Sequence, residues 1–425
     1  MNAQTALRMP RVVRQPLGAA LVRLPAPDAK LLAFVLSPAI RAEPWALYRQ
    51  LRETHPVHRT GFAAWTIARY RDVAALARHP HVSVEEANAS AFPEPPETPF
   101  SRLMGQTMLF RDAPDHDRLR RLVARAFTPR RIEELRPRVE VLVAKRLDDL
   151  IPRGEADLLA KLAYPLPVDV ICELLGIPED DRRLFPPWAK ALAARLDVEP
   201  MRTPTTNRLG DVATMELSTY LESLLTDPRR RIGGGLIDGL VEAEEAGERL
   251  NHAEVIATCA LLLMAGHETT ANLIGNGVLA LLRQPDQLAE LRCGNIAMDS
   301  AVEELLRYDG PVQLTQRIAL ADVDLDGITI PAGELIVLLV GAANRDPEVF
   351  DEPDRLDLAR EPNHHLAFSS GIHACLGAAL ARMETGIVLD QLLTRLPGLR
   401  LANQPRWRDT FVLRGLQSLP VAWAT

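Results

Sequence analysis

Cysteine is scarce: the 425 residues contain four, at Cys172, Cys259, Cys293 and Cys375, with no C-x-x-C pair among them. That argues against a disulfide framework and for a reducing compartment. Lysine is confined to Lys30, Lys145, Lys161 and Lys190, so the positive charge is almost all arginine. The formal net charge of -7 speaks against a nucleic-acid-binding protein. Long apolar runs are missing as well. The longest early one, "LLAFVL" at 31–36, falls far short of the roughly 20 residues that cross a bilayer. Arg8, Arg11 and Arg14 lead into "LGAALVRLPAPDAK", where charges and prolines break every apolar stretch, so neither a signal peptide nor a membrane anchor is expected. A cytoplasmic location follows as the expectation.

What is present suits a globular chain. Apolar residues make up 47% and charged residues 25%, enough to bury a sizeable core. Helical patterns dominate, with no repeat period and no long flexible linker. "PDHDRLRRLVARAF" (114–127) reads as a helix with Asp112 as its cap, and Thr128-Pro129 opens a second that runs towards Ile151. "VSVEEANASAFPEPPETPF" (82–100) reads as a long loop, often a functional feature in a compact domain. The clearest element is 251–284, opened by Asn251 and Glu254 as a capping pair and stopped by Pro285. It is apolar nearly all round, hence buried, except for a polar island from Gly266 to Thr270. Strand signals are fewer, near 56–70 and 322–340, with turns at Asp326-Gly327 and Pro331-Ala332-Gly333. The expected fold is mainly α with a small β region.

The stretch "HLAFSSGIHACLGAALARME" (365–384) sets Cys375 between a glycine-rich turn and the start of a helix. Backbone N–H groups and the helix dipole there favour a thiolate. Four readings compete. A buried structural cysteine is the plain one. A nucleophile elbow fails, because position 373 is His where glycine is required. Zinc held by His364, His365, His373 and Cys375 lacks a second cysteine and fits no common finger spacing. A single axial thiolate on haem iron needs one sulfur, small residues such as Gly371, Ala374 and Gly377 beneath a flat macrocycle, and a nearby cation for a propionate, here His373.

Phe368-Ser369-Ser370-Gly371-Ile372-His373-Ala374-Cys375-Leu376-Gly377, followed by Leu380-Ala381-Arg382, resembles the haem-binding signature of the cytochrome P-450 family. It departs at Ser369, where glycine is usual. Ala265-Gly266-His267-Glu268-Thr269-Thr270 resembles the family's A-G-x-E-T-T. Glu304-Leu305-Leu306-Arg307 resembles E-x-x-R, with Ser300 and Glu303 as a capping box for its helix. Asn344-Arg345-Asp346-Pro347, Pro353-Asp354-Arg355-Leu356 and His116-Asp117-Arg118-Leu119-Arg120 stand at the expected places, with Leu356 in place of the usual Phe. Alone, an i,i+3 or i,i+4 pair means little; in this order they are specific.

The resemblance implies a soluble bacterial-type P-450: residues 1–40 as a partly extended N-terminal extension, 41–425 as one catalytic domain, and a haem b between the long central helix and the helix after the cysteine. Cys375 would be the axial ligand, Phe368, Gly371 and Gly377 its loop, Ala265 the helix surface over the macrocycle, and His116, Arg120, Arg317 and His373 the propionate contacts. Glu304, Arg307 and Arg355 would form a buried ion network. Glu268 and Thr269 would deliver protons to dioxygen, aided by a flexible Gly266. The 90–109 loop with Leu261, Met264, Ala265, Val312, Leu314, Val412 and Leu413 would line a pocket for a hydrophobic small molecule. O2 would be the co-substrate and NAD(P)H the indirect electron source. The chain carries no flavin or iron–sulfur module, so a separate ferredoxin and ferredoxin reductase are implied, with Arg118, Arg121, Arg125, Arg130 and Arg131 as docking charge. A peroxide-driven or non-oxygenating haem-thiolate enzyme, and a haem-based sensor or carrier, are the alternatives.

Overall fold

The computed structural model describes residues 26–90, 97–198, 202–245 and 248–424. In chain order, the helices used below are α1 (Ala26–Leu36), α2 (Pro38–Ala42), α3 (Asp115–Ala126), α4 (Pro129–Leu150), α5 (Pro165–Leu175), α6 (Phe185–Ala193), α7 (Pro204–Thr226), α8 (His252–Leu282), α9 (Met298–Asp309) and α10 (Ala378–Arg395). Of the expected N-terminal extension, 1–40, residues 26–36 and 38–40 are helical, because Phe34 and Leu31 bury themselves beside Tyr48 and Leu51. The remainder, 1–25, lies outside the described residues. So does 91–96 of the expected loop; its flanks hold a two-residue strand at Val82–Ser83 and a helix from Pro99 to Met104.

Helix α8 organises the molecule. Asn251 caps it by accepting from the Glu254 N–H at 3.0 Å, and the Glu254 carboxylate accepts the Asn251 N–H at 2.9 Å. Thirty-one residues at about 1.5 Å each make about 46 Å of helix. It packs against α5, α6, α7, α9 and α10, which is why its sides are apolar all round. Gly266 belongs to that packing. A Cβ there would lie 2.9 Å from the Ile171 side chain of α5, so its smallness serves close helix approach.

The main sheet has five strands: β1 (Val57–Arg59), β2 (Ala64–Ile67), β3 (Val82–Ser83), β4 (Thr315–Ala319) and β5 (Leu335–Leu338), in the order β1-β2-β5-β4-β3. β5 runs parallel to β2 and the other pairings are antiparallel. The expected turn at Asp326-Gly327 joins the hairpin Val323–Leu325 and Ile328–Ile330. Near the C-terminus, Arg406–Trp407 (β6) pairs with Leu416–Ser418 (β7).

Two expected caps are replaced. Helix α3 begins after Pro114, and the Asp112 carboxylate instead accepts from the Ser83 hydroxyl and the Val84 N–H. Helix α9 begins at Met298, so Ser300 already lies in its first turn and donates to the Leu358 carbonyl at 2.7 Å. No helix among the described residues is long and apolar enough to cross a membrane.

Candidate functional site

The cysteine loop is built from its glycines and backbone. Gly371 has φ +76°, and a Cβ there would stand 2.7 Å from the Ala77 carbonyl oxygen, so conformation and space both demand glycine. The Ala374 N–H donates to the Gly371 carbonyl at 3.1 Å and the Cys375 N–H to the Phe368 carbonyl at 2.9 Å. Gly377 caps α10 and its N–H points at the Cys375 sulfur. A Cβ on Gly377 would have one neighbour within 4 Å, that sulfur, at 4.0 Å. The protein's own packing leaves room for a side chain there, which fits a flat group lying against the backbone.

Cys375 is solvent-accessible although protein surrounds its thiol on nearly every side. Burial pushes its pKa up, against the Gly377 N–H and the cations Arg120 and Arg382, which lower it. The thiolate expected from the helix start is therefore not supplied by the protein alone; a bound metal cation would supply it. No cluster of three or more His, Cys, Asp or Glu among the described residues is arranged to hold a metal ion, which removes the zinc reading.

Ser369 holds φ 59°, the left-handed region that costs an L-residue about 1–2 kcal/mol. Ser369→Gly should stabilise the protein by about 0.5–1 kcal/mol once the greater freedom of glycine in the unfolded chain is subtracted. Urea unfolding midpoints of the two proteins check this.

Beside the loop stand the four residues nominated for propionates. The rings of His116 and His373 lie 4.4 Å apart, centroid to centroid. His116 Nδ1 bonds the Asp117 carboxylate at 2.9 Å, and the Nε2 atoms of both histidines are buried without a hydrogen-bond partner. Burial, with the nearby His116, Arg317 and Arg120, drives the His373 pKa down to about 3. Burial also lowers Arg317. Among the described residues neither Arg120 nor Arg317 has a carboxylate in ion-pair contact. Two cations and two orphaned imidazole nitrogens in one place fit an anionic group.

Helix α8 turns a gap towards open space at one position. All but six of its residues are buried, and three of the six, Ala265, Gly266 and Thr269, lie together in its middle. The proton-delivery residues are both engaged elsewhere. The Thr269 hydroxyl donates to the Ala265 carbonyl, and the Glu268 carboxylate is ion-paired with Arg408, which follows β6. Arg408 was not visible as a partner from sequence, lying 140 residues along the chain. A cavity of about 70 Å³ beside this pair is lined by Lys190, Asp197 and Leu413 among others.

The expected pocket walls divide. Val312 and Leu413 are joined by a β-bridge, and the Gln313 N–H donates to the Val412 carbonyl at 3.0 Å, so the two segments do meet. Ala265, Val312 and Val412 remain partly accessible. Leu261, Met264 and Leu314 are instead packed in the hydrophobic core, because their positions on α8 and before β4 face neighbouring elements.

The ion network also needs correcting. Glu304 and Arg307 are fully buried and doubly bonded, Nε to Oε2 and Nη2 to Oε1, each at 2.7 Å. The second guanidinium on Glu304 is that of Arg360, at 3.2 and 3.1 Å from the two oxygens. Arg355 is exposed and pairs with Glu352 three residues back; only its backbone carbonyl meets Arg307, at 3.2 Å. Docking charge is reduced too, since Arg118 is tied to Glu254 and Arg121 lies 3.7 Å from Glu248.

Comparison with known proteins decides the family. The family model "Cytochrome P450" matches residues 193–293 and 297–398. The chain is 42% identical over 393 residues to the cytochrome P450 monooxygenase PikC of Streptomyces venezuelae, covering 90% of this chain and 91% of that protein. This chain belongs to the cytochrome P450 family. Cytochrome P450 107B1 of Saccharopolyspora erythraea is 44% identical over 391 residues, 88% of this chain and 93% of the relative. Among solved structures, P450BioI in complex with hexadec-9Z-enoic acid ligated acyl carrier protein matches with TM-score 0.85 and 37% identity, over 91% of this P450 and 99% of that chain. The P450 is therefore an oxidoreductase of the monooxygenase type, and membership implies haem and O2.

Proposed function

We propose that this P450 inserts one atom of O2 into a hydrophobic small molecule, by hydroxylation or epoxidation, with electrons drawn from NAD(P)H through a separate ferredoxin and ferredoxin reductase. The observation that supports it best is the group of unpaired cations and orphaned histidine nitrogens beside a solvent-accessible cysteine. Cys375 Sγ would ligate haem b, with Phe368, Gly371 and Gly377 shaping the loop, Ala265 and Thr269 on the opposing helix, and His116, Arg120, Arg317 and His373 neutralising the propionates. Haem held by a thiolate supplies activation of dioxygen.

The chain's own residues would manage protons and water. Thr269 Oγ1 spends its proton on the Ala265 carbonyl, which leaves its lone pairs to accept a hydrogen bond from water or a bound ligand. Glu268 Oε1 is held by Arg408, so relaying a proton towards Thr269 requires that pair to part or to exchange through the adjacent cavity. Ala265, Val312 and Val412 present apolar surface. Because P450BioI was captured with a carrier-linked fatty acid, long acyl chains belong in any ligand screen of this P450, read as spin-state shifts.

A second reading, a peroxide-driven enzyme, gains from the fact that Glu268 and Thr269 are both engaged away from each other. One assay separates the two. Thr269→Ala should keep haem and ligand binding while product per NAD(P)H falls several-fold and hydrogen peroxide makes up the difference. An unchanged ratio would sink the proton-delivery assignment.

A further inference from the structure

Arg382 belongs to the signature segment, yet neither the haem contacts nor the proton path uses it. Its guanidinium lies over the Phe368 ring, 4.5 Å from the centroid. Its Nε and Nη2 both bond Glu303 of α9, the latter at 2.9 Å. Glu303 also accepts from His365 Nε2 at 3.1 Å, and the His365 and Phe368 rings are 6.0 Å apart. Phe368 in turn accepts the Cys375 N–H. Although burial opposes its charge, Arg382 and His365 hold the Glu303 carboxyl down to about 2. The neighbouring carboxylate, Glu304, holds Arg307 and Arg360. Two consecutive residues of one helix thus fasten two different arginine groups.

Arg382 and Cys375 are close enough to act on each other electrostatically. We infer that Glu303 and Arg382 are a positioning pair for Cys375: Glu303 fixes the guanidinium over Phe368, and the opposed charges of the two set the field at the sulfur and hence the reduction potential of the haem held there. The inference rests on the haem-thiolate reading. Adding one electron makes the centre more negative, so the Arg382 cation favours the reduced state and the Glu303 carboxylate opposes it. Arg382 is 41% and Glu303 28% exposed, so water screens both and the effects are moderate.

The test is redox titration of the haem-loaded full-length protein with dithionite and mediator dyes, following the ferric and ferrous Soret bands. No redox partner or substrate is needed. Arg382→Gln should lower the ratio of reduced to oxidised protein at a fixed potential by about threefold, ~30 mV at 59 mV per decade. Glu303→Gln, which can still accept from Arg382, should raise the ratio by a similar factor. Arg382→Lys should restore most of it. A purely structural tie between α9 and α10 would move both variants in the same direction or neither, and either result overturns the inference. Should Arg382→Gln fail to take up haem, Glu303→Gln decides alone, with an unchanged potential counting against the proposal. The carbon monoxide band of the wild type reports thiolate ligation separately: its absence would end the haem-thiolate reading, whereas its presence with unshifted potentials would end this inference alone.

Discussion

Cys375→Ala should abolish the long-wavelength Soret band of the reduced carbon monoxide complex and all monooxygenase activity, whereas Cys172→Ala, Cys259→Ala and Cys293→Ala should keep both. Cys172 and Cys259 are buried in the core, where burial raises their pKa values strongly and apolar packing leaves no room for a macrocycle. Cys293 is exposed at the end of the helix Pro285–Arg292 and has no anion-binding group comparable to the His116, Arg120, Arg317 and His373 set. Only Cys375 combines solvent accessibility, a glycine with open space beside it and unpaired cations. Because the thiol is pushed up by burial, thiolate formation should accompany metal binding: haem loading near neutral pH should release a proton. Persistence of the band in Cys375→Ala would overturn the assignment of the ligand.

Much of this site was readable in sequence because its parts are local. Gly371, His373, Cys375 and Gly377 occupy one turn, and the Asn251–Glu254 box marks the start of α8 to the residue. What escaped depends on tertiary contacts between distant segments. The Glu268–Arg408 pair joins residues that no spacing rule connects. Ser300 and Glu303 have the spacing of a capping box, but the cap of α9 is Ala297, three residues earlier, and Glu303 is drawn to Arg382 on another helix. Leu261 and Met264 are apolar on a helix that is buried along most of its length, so hydrophobicity could not tell pocket wall from core. The choice between Arg355 and Arg360 was equally hidden, because five residues of irregular chain decide which guanidinium turns inward.

That choice carries the sharpest stability prediction. Glu304 is wholly buried and accepts from five groups: Nε and Nη2 of Arg307, Nε of Arg360, the Asn363 side chain at 3.1 Å and the Asp357 N–H at 2.9 Å. Arg307, equally buried, also donates to the carbonyls of Asn344 and Pro353 at 2.9 Å each. Removing the carboxylate leaves two guanidiniums in the interior without a counter-charge, which costs about 3–5 kcal/mol. Against a total stability of roughly 5–15 kcal/mol, Glu304→Gln should yield little folded, haem-loaded protein at 37 °C and a much lower unfolding midpoint in urea. Arg360→Ala should be milder, about 1–3 kcal/mol, because Glu304 keeps Arg307 but loses one charged donor. Arg355→Ala removes only an exposed pair with Glu352 and should leave the urea unfolding midpoint essentially where it is. The order Glu304→Gln, then Arg360→Ala, then Arg355→Ala is the discriminating result. If Arg355→Ala proved as damaging as Arg360→Ala, the third member of the buried network would be Arg355 after all.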